Sequence, residues 1–349
     1  MEKAIIITNG LLATDNAKTA HGLIRESRRF EIVGVVDHVD AGRDAGEVLD
    51  GKKRNIPVFR TVTEALPLTP TTCIVGVATA GGVFPGELIE EVREAIRNKL
   101  SIVNGLHDHL SERPDIKQLA DENGVTLTDI RIPKKRKDLH FWTGEILKLK
   151  TPVIAVIGTD CALGKRTTTR FVMNACNTSG IHAEMIYTGQ TGWLQGGKYG
   201  FIFDSTLNDF VSGELEHAIL SCANETNAHV ILIEGQSALR NPSGPCGSEM
   251  LVSGNAKSVI LVHAPKRKYY EHDPAWGEIH SLESEIELIR QFGSQVIAVA
   301  LNTEHCNNEE AFVFQKEYEA RLNIPVLLPL QEGVDRIVPT IKQLIVSAK

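Results

Sequence analysis

The sequence predicts an α/β protein built as two doubly wound domains, each a parallel sheet with helices on both faces. Three observations carry that expectation. Short β-branched runs alternate with helical patterns along the whole chain, which is how successive βαβ units read in a sequence. Runs such as HVILI (229–233) and SVILV (258–262) are apolar throughout rather than alternating, as strands covered on both faces must be. A looser basic stretch, Arg131 to Pro152, interrupts the alternation once, and 349 residues suffice for two domains that each bury a core. The expected organisation is a first domain over 1–135, a linker over 136–150 and a second domain over 151–349.

In the first domain the strands are AIIIT (4–8), EIVGVVD (31–37), CIVGVAT (73–79) and SIVNG (101–105), with helices around 17–28 and 86–99. Asp37 ends the second strand, where a Rossmann-like domain places the carboxylate that binds a ribose. The first turn, TNGLLATDNAKTA, lacks the GxGxxG fingerprint, so Asp37 reads as an ordinary strand-end acid and NAD is not expected. Gly81, Gly82 and Gly86 lie between a strand and a helix and either form a plain turn or let backbone approach a ligand. In the linker, Lys134 to Lys137 are four consecutive basic residues that form a solvated face or the rim of an anion site.

The second domain opens with TPVIAVIGTDCALGKRTTTR (151–170): an apolar strand, a glycine-bounded loop, a Lys and a hydroxyl-rich helix. Between Gly158 and Lys165 the chain must curl so that backbone N–H groups face an anion, and the following helix adds positive potential. Gly158, Thr159, Asp160, Gly164, Lys165, Arg166, Thr167 and Thr168 are therefore the expected cofactor-binding residues, and the domain reads as P-loop NTPase-like. The loop departs from the usual Walker pattern twice. Five residues, Thr159 to Leu163, separate the glycines instead of four, and Arg166 stands where a Ser or Thr normally follows the Lys. Further strands are expected at AEMIYT (183–188), HVILIEG (229–235), SVILVHA (258–264), QVIAVALNT (295–303) and IPVLLPL (324–330), with helices at 165–178, 210–223, 281–292 and 333–347.

Ligands of such sheets sit at the carboxyl ends of strands, so the residues after each strand are the candidates. TGQTGW offers Gln190 and Thr191 as uncharged substrate contacts. In FIFDSTLNDFVSGELEHA (201–218), Asp209 and Ser212 can cap a helix, Glu214 fits its first turn and Glu216 faces water, which leaves Asp204 as a functional acid. Glu234 ends an apolar strand where P-loop proteins carry an acid that holds a metal-bound water or acts as base. The loop after it contains Gln236, Ser237 and Arg240, whose planar fork suits a substrate carboxylate. Lys266, Arg267 and Lys268 would attract an anionic tail, His263 reads as a core histidine before a base, and Asn302 stands where relatives read a purine.

A formal net charge of −7 gives no electrostatic reason to expect a nucleic-acid partner. Six scattered cysteines without a CxxC pair suggest neither zinc nor disulfides, and no metal is assigned. The start has too short an apolar run for a signal peptide and no stretch is long enough to span a membrane, so a cytoplasmic, homo-oligomeric protein acting on a small molecule is expected.

The loop GTD-x3-GK resembles that of dethiobiotin synthetase and its ATP-dependent relatives. More broadly, GTDCALGKRTT, YTGQTGW, DFVSGELE and IEGQ, present in that order, resemble a bacterial family long described only as a domain of unknown function, with a Rossmann-like N-terminal half and a P-loop C-terminal half. That family includes a D-glutamate N-acetyltransferase, so the resemblance implies transfer of an acetyl group from acetyl-CoA to the amine of an acidic amino acid. On that reading the cradle holds coenzyme A without metal, Glu234 or Asp204 is the base, and Gln190, Thr191 and Arg240 meet the substrate. The alternatives are an ATP- and Mg-dependent ligase or kinase, or a non-catalytic nucleotide-binding module.

Overall fold

The computed structural model describes residues 1–348; Lys349, the last residue assigned to the second domain, lies outside the described residues. The chain divides into two compact units, one holding Met1–Pro133 with Gln190–Gly197, the other Lys134–Gly189 with the chain from Lys198 onward.

The first unit contains strands β1 (Glu2–Ile7), β2 (Phe30–Val36), β3 (Val58–Phe59), β4 (Thr72–Val75), β5 (Ser101–Asn104) and β6 (Leu127–Asp129). Its helices are α1 (Lys18–Arg25), α2 (Ala45–Asp50), α3 (Val62–Ala65), α4 (Gly86–Arg97) and α5 (Pro114–Asn123). All pairings are parallel, in the order β3-β2-β1-β4-β5-β6, so the strand order reverses between β1 and β4. Successive side chains of β1 feed opposite layers: Ile5 and Ile7 join the cluster with α4, whereas Ala4 and Ile6 join the one with α1. The strand expected over 73–79 ends at Val75, because beyond it the backbone turns to α1, with Ala20 N–H donating to Gly76 O at 2.9 Å. The short strands β3 and β6 carry too few apolar residues to be read from pattern.

The second unit contains β7 (Val153–Gly158), β8 (Ala183–Tyr187), β9 (Tyr199–Gly200), β10 (Val230–Glu234), β11 (Ser258–His263), β12 (Gln295–Leu301) and β13 (Val326–Leu327). Its sheet is again all parallel, in the order β13-β12-β11-β7-β10-β8-β9. The helices along this part of the chain are α6 (Lys165–Thr178), α7 (Gln190–Leu194), α8 (Asn208–Thr226), α9 (Ser248–Val252), α10 (Leu282–Gln291), α11 (Asn308–Leu322) and α12 (Val338–Ser347), of which α7 packs in the first unit. Ile154 and Val156 of β7 face one core, and Val153, Ala155 and Ile157 the other. The run IPVLLPL keeps only two strand residues, flanked by Pro325 and Pro329, since proline cannot donate to a ladder. Helix α11 was not anticipated from the sequence, although Asn307 and Glu310 form a reciprocal capping box at its start.

Helix α8 is covered on two sides. One face joins the core through Val211, Leu215, Ala218, Ile219 and Cys222. On the other, a Cβ on Gly213 would run into the carbonyl oxygen of His140, so glycine lets the segment after Pro133 lie directly on the helix. That segment is held by two acids. Glu214 accepts from Lys134 Nζ at 2.6 Å and from the backbone and ring nitrogens of His140 at 2.8 Å. Glu216 accepts from Thr143 N at 2.6 Å and Ile146 N at 3.2 Å. This corrects the expectation that Glu216 faces water: it is buried. The helix also begins at Asn208 with Leu207 as its cap residue, so Asp209 and Ser212 do not cap it and Glu214 lies beyond its first turn. Among the described residues, no helix is long and apolar enough to cross a membrane.

Candidate functional site

Strand β7 lies between β10 and β11, so the carboxyl ends of three adjacent strands present the loop after Gly158, Glu234 and His263 side by side. The loop curls through left-handed backbone at Ala162 (φ 52°) and Gly164 (φ 84°) and enters α6 at Lys165. Thr159 is pinned on both sides of its peptide: its N–H donates to Val262 O at 3.0 Å, and its hydroxyl lies 3.0 Å from Nδ1 of His263. The Lys165 side chain is buried and runs between two glycines. A Cβ on Gly158 would sit 3.2 Å from Lys165 Cδ, and one on Gly235 would sit 3.0 Å from the same atom. Its ammonium donates to Asp160 O at 2.6 Å. Gly158 and Gly235 thus leave room for the threaded lysine, Gly235 also because a Cβ there would run into the Val156 carbonyl oxygen, whereas Gly164 supplies the left-handed turn into α6.

Asp160 is a brace. One carboxylate oxygen accepts from Arg267 Nη1 at 2.9 Å and Glu271 N at 2.8 Å, the other from Asn241 Nδ2 at 2.8 Å. Arg267 also grips Glu304 through two bonds, at 2.7 and 2.6 Å, and Cys161 O at 2.7 Å. Carboxylate and thiol atoms of Asp160, Cys161 and Glu271 lie within 4.8 Å of one another, but a cation there would compete with the Arg267 guanidinium. The Cys161 thiol, 3.0 Å from Ser237 Oγ, is pushed up by burial.

Glu234 is fully buried at the end of β10. Thr188 donates its N–H to Oε2 at 3.3 Å and its hydroxyl to Glu234 O at 2.7 Å, and Gln236 Nε2 donates to that hydroxyl at 2.8 Å. Burial raises the Glu234 carboxyl above the ordinary range against the pull of Arg166, Arg170 and Lys165. Desolvation wins, so a carboxyl with raised proton affinity faces three cations. His263 goes the other way: burial, with Arg321 and Arg267 nearby, lowers it to about 4, which makes it a neutral core histidine.

Gln190 and Thr191 belong to the first unit, not to the unit holding the cradle. There Gln190 accepts from Arg131 Nη2 at 2.9 Å, and Thr191 Oγ1 lies 3.0 Å from Thr19 Oγ1. Their hydrogen bonding is directed into that unit because Leu194, four residues on, is drawn into its core. Asp204 is exposed on the 3-10 turn Phe203–Ser205. Arg240 is committed to Glu285 at 2.7 Å and Ser284 at 2.9 Å, so binding a carboxylate would require exchange of partners. Lys266, Arg267 and Lys268 are each paired with an acid, Glu310, Glu304 and Glu278 respectively, which corrects their reading as a lure for an anionic tail. Asn302 accepts from Glu304 N at 2.9 Å and so closes a local turn. Asp37 accepts four bonds, from Thr8, Leu12, Val39 and Asp40, which occupies it as a brace of the first turn. Sequence reasoning missed Arg170, one helical turn after Arg166 and therefore on the same face, and Asn241, whose burial gives no signal in a loop of small polar residues.

A parallel sheet whose central strand delivers a Lys-tipped loop to a helix N-terminus, with a buried acid on the next strand, defines a P-loop domain, here joined to a Rossmann-like unit. The chain belongs to the family described as domain of unknown function DUF1611: its P-loop domain matches residues 140–338 and its Rossmann-like domain residues 39–133. A D-glutamate N-acetyltransferase from Tritonibacter scottomollicae is 29% identical over 92% of this chain and 93% of its own length. Another so named from a Pseudoalteromonas species is 31% identical over 80% of this chain and 83% of its own. The crystal structure of a DUF1611 family protein from Anabaena variabilis superimposes with a TM-score of 0.89 at 26% identity, covering 98% of this chain and all of that one. The family expected from the four ordered blocks is the one that matches.

Proposed function

We propose that the protein is an N-acetyltransferase that moves an acetyl group from acetyl-CoA to the amine of an acidic amino acid, with D-glutamate the first acceptor to test. The observation that carries this reading is the cationic arrangement of the cradle: Lys165, Arg166 and Arg170 act on one buried acid, and Arg166 replaces the hydroxyl that would hold Mg in a P-loop ATPase. The names of the two relatives support it. Backbone N–H groups between Gly158 and Lys165, with the Lys165 ammonium, suit the pyrophosphate of coenzyme A. Acetyl-CoA supplies an already activated thioester, so no ATP is needed. Glu234 takes a proton from the acceptor ammonium, a task its raised affinity favours; the freed amine forms the amide, and the coenzyme leaves as thiol. Asp204 is the second candidate for base. Arg240 holds a carboxylate by exchanging it for Glu285.

The test is thiol release from acetyl-CoA with a panel of acidic amino acids, with and without EDTA. Release stimulated by D-glutamate and indifferent to EDTA is expected, and no release with any member of the panel would overturn the reading. A second reading, an ATP- and Mg-dependent ligase or kinase, is favoured by one observation, the position of Glu234 at the end of the strand beside the cradle. Mg-dependent phosphate release abolished in Lys165→Ala would support it.

A further inference from the structure

Two donors of the second unit are enclosed with nothing among the described residues to accept their protons. Arg240, in the loop after β10, gives Nε to Glu285 at 2.7 Å and Nη1 to Ser284 at 2.9 Å, both on α10, while its Nη2 is shut off from solvent and unpaired. Tyr270 is 3% exposed, and its hydroxyl is unpaired as well. The phenol lies in the field of Glu285, Arg240 and Asp160, and the His280 N–H approaches its oxygen without closing a hydrogen bond. Native folds rarely leave such groups bare unless a ligand or water completes them.

The two donors arrive on different elements. Tyr270 rides on the hairpin closed by Tyr269 and Glu278, with its own N–H on Gly277 O at 3.2 Å. Residues 271–278 of that hairpin are exposed, so little burial opposes its lifting to admit a ligand. A guanidinium nitrogen and a hydroxyl together suit a carboxylate, which accepts from both and rewards the positive charge as water does not. The present counterion of Arg240 is itself a carboxylate, Glu285, which is buried; burial raises it against the pull of Arg240 and His280.

We propose that Arg240 Nη2 and the Tyr270 hydroxyl form the subsite for a carboxylate of an acidic amino acid, and that Glu285 binds one proton as the incoming carboxylate takes over its guanidinium. This rests on the acetyltransferase reading for the class of acceptor, and adds to Arg240 a second donor and a fate for Glu285. If Glu285 kept its charge it would be left as an unpaired buried anion, so binding and proton uptake go together. Tyr270 stays a donor throughout, because burial and the Glu285 charge push its phenol up.

Calorimetric titration of the full chain in the presence of coenzyme A, in two buffers of different ionisation heat, tests it with D-glutamate and with glutarate, which has no amine for Glu234 to act on. Both ligands are expected to bind with uptake of one proton, and affinity should fall by up to about tenfold per pH unit above neutrality, the limit for one linked proton. Uptake should vanish in Glu285→Gln. Tyr270→Phe should weaken both ligands by about tenfold or more, as loss of a hydrogen bond to a charged group does. Its melting profile and its binding of acetyl-CoA should match wild type, since the hydroxyl has no acceptor to lose. Wild-type affinity in Tyr270→Phe would show that the two donors hold water only and would overturn the subsite. Binding without proton uptake, or no binding of either ligand, would overturn it too. Failure of the acetyltransferase reading looks different: D-glutamate binds with these signatures but no thiol leaves acetyl-CoA. Thiol release with an unchanged KM for D-glutamate in Tyr270→Phe would instead keep the reaction and remove the subsite.

Discussion

Two opposed forces act on the Glu234 carboxyl: removal from water, which favours the protonated form, and three nearby cations, which favour the charged one. Because burial prevails, ionisation of Glu234 opposes folding from the ordinary carboxylate range upward to its raised value, and the penalty is complete at higher pH. Glu234→Gln is therefore expected to melt higher than wild type at pH 7 to 8, as roughly the neutral range, with the difference vanishing in acid where both are uncharged. Its activity should fall by about 10²- to 10⁴-fold, the usual contribution of a general base. Lower stability together with normal turnover would contradict the assignment. His263 gives the reverse pH dependence. Its imidazole is held near 4 by burial and two arginines, so stability present above the unfolded value of about 6.5 is lost as pH falls through that window, by on the order of 3 kcal/mol at completion. Denaturant midpoints at pH 7 and pH 4.5, roughly the two ends of the window, should differ strongly in wild type and much less in His263→Phe.

At the scale of elements, two strand-to-helix junctions show what a sequence can and cannot reveal. The cradle was legible because its parts are contiguous: strand, glycines, Lys165 and helix occur within twenty residues, and α6 begins and ends as read. Helix α8 was only partly legible. Its acids looked like caps or solvent-facing charges because their partners, Lys134 to Ile146, lie some seventy residues earlier. Gly213 was equally silent, since close approach of a distant backbone leaves no local pattern. Alanine at that position gains about 1 kcal/mol of helix propensity but meets the His140 carbonyl, and overpacking typically costs about 1–3 kcal/mol before the bonds to Glu214 and Glu216 are disturbed. Gly213→Ala is expected to lower the melting temperature; a rise would show that the covering segment is not closely docked.

Across the whole molecule, the least legible feature is the return of Gln190–Gly197 to the first unit. Leu194 is fully buried there with Ile74 and Val103, Gln195 Nε2 donates to Gly22 O at 2.7 Å, and the Arg29 guanidinium lies 4.0 Å over the Trp193 ring. The polar letters of TGQTGW suggested a substrate contact; in the structure Gln190 and Thr191 hydrogen-bond to Arg131 and Thr19, while Leu194 and Trp193 complete a layer of the first unit. A fragment of residues 1–133 should therefore melt without cooperativity and bind a hydrophobic dye, and Leu194→Ala should cost the full chain about 2–5 kcal/mol, as for a large buried aliphatic side chain. A cooperative fragment would show that the returning segment is dispensable.

The central claim, that the cradle around Lys165 serves coenzyme A, is tested most directly by calorimetric titration of the full chain with acetyl-CoA and, separately, with ATP and Mg. Acetyl-CoA is expected to bind in the presence of EDTA, with binding lost in Lys165→Ala, and D-glutamate added to the loaded protein should release thiol. Tight binding of ATP that depends on Mg, with no heat from acetyl-CoA, would contradict it.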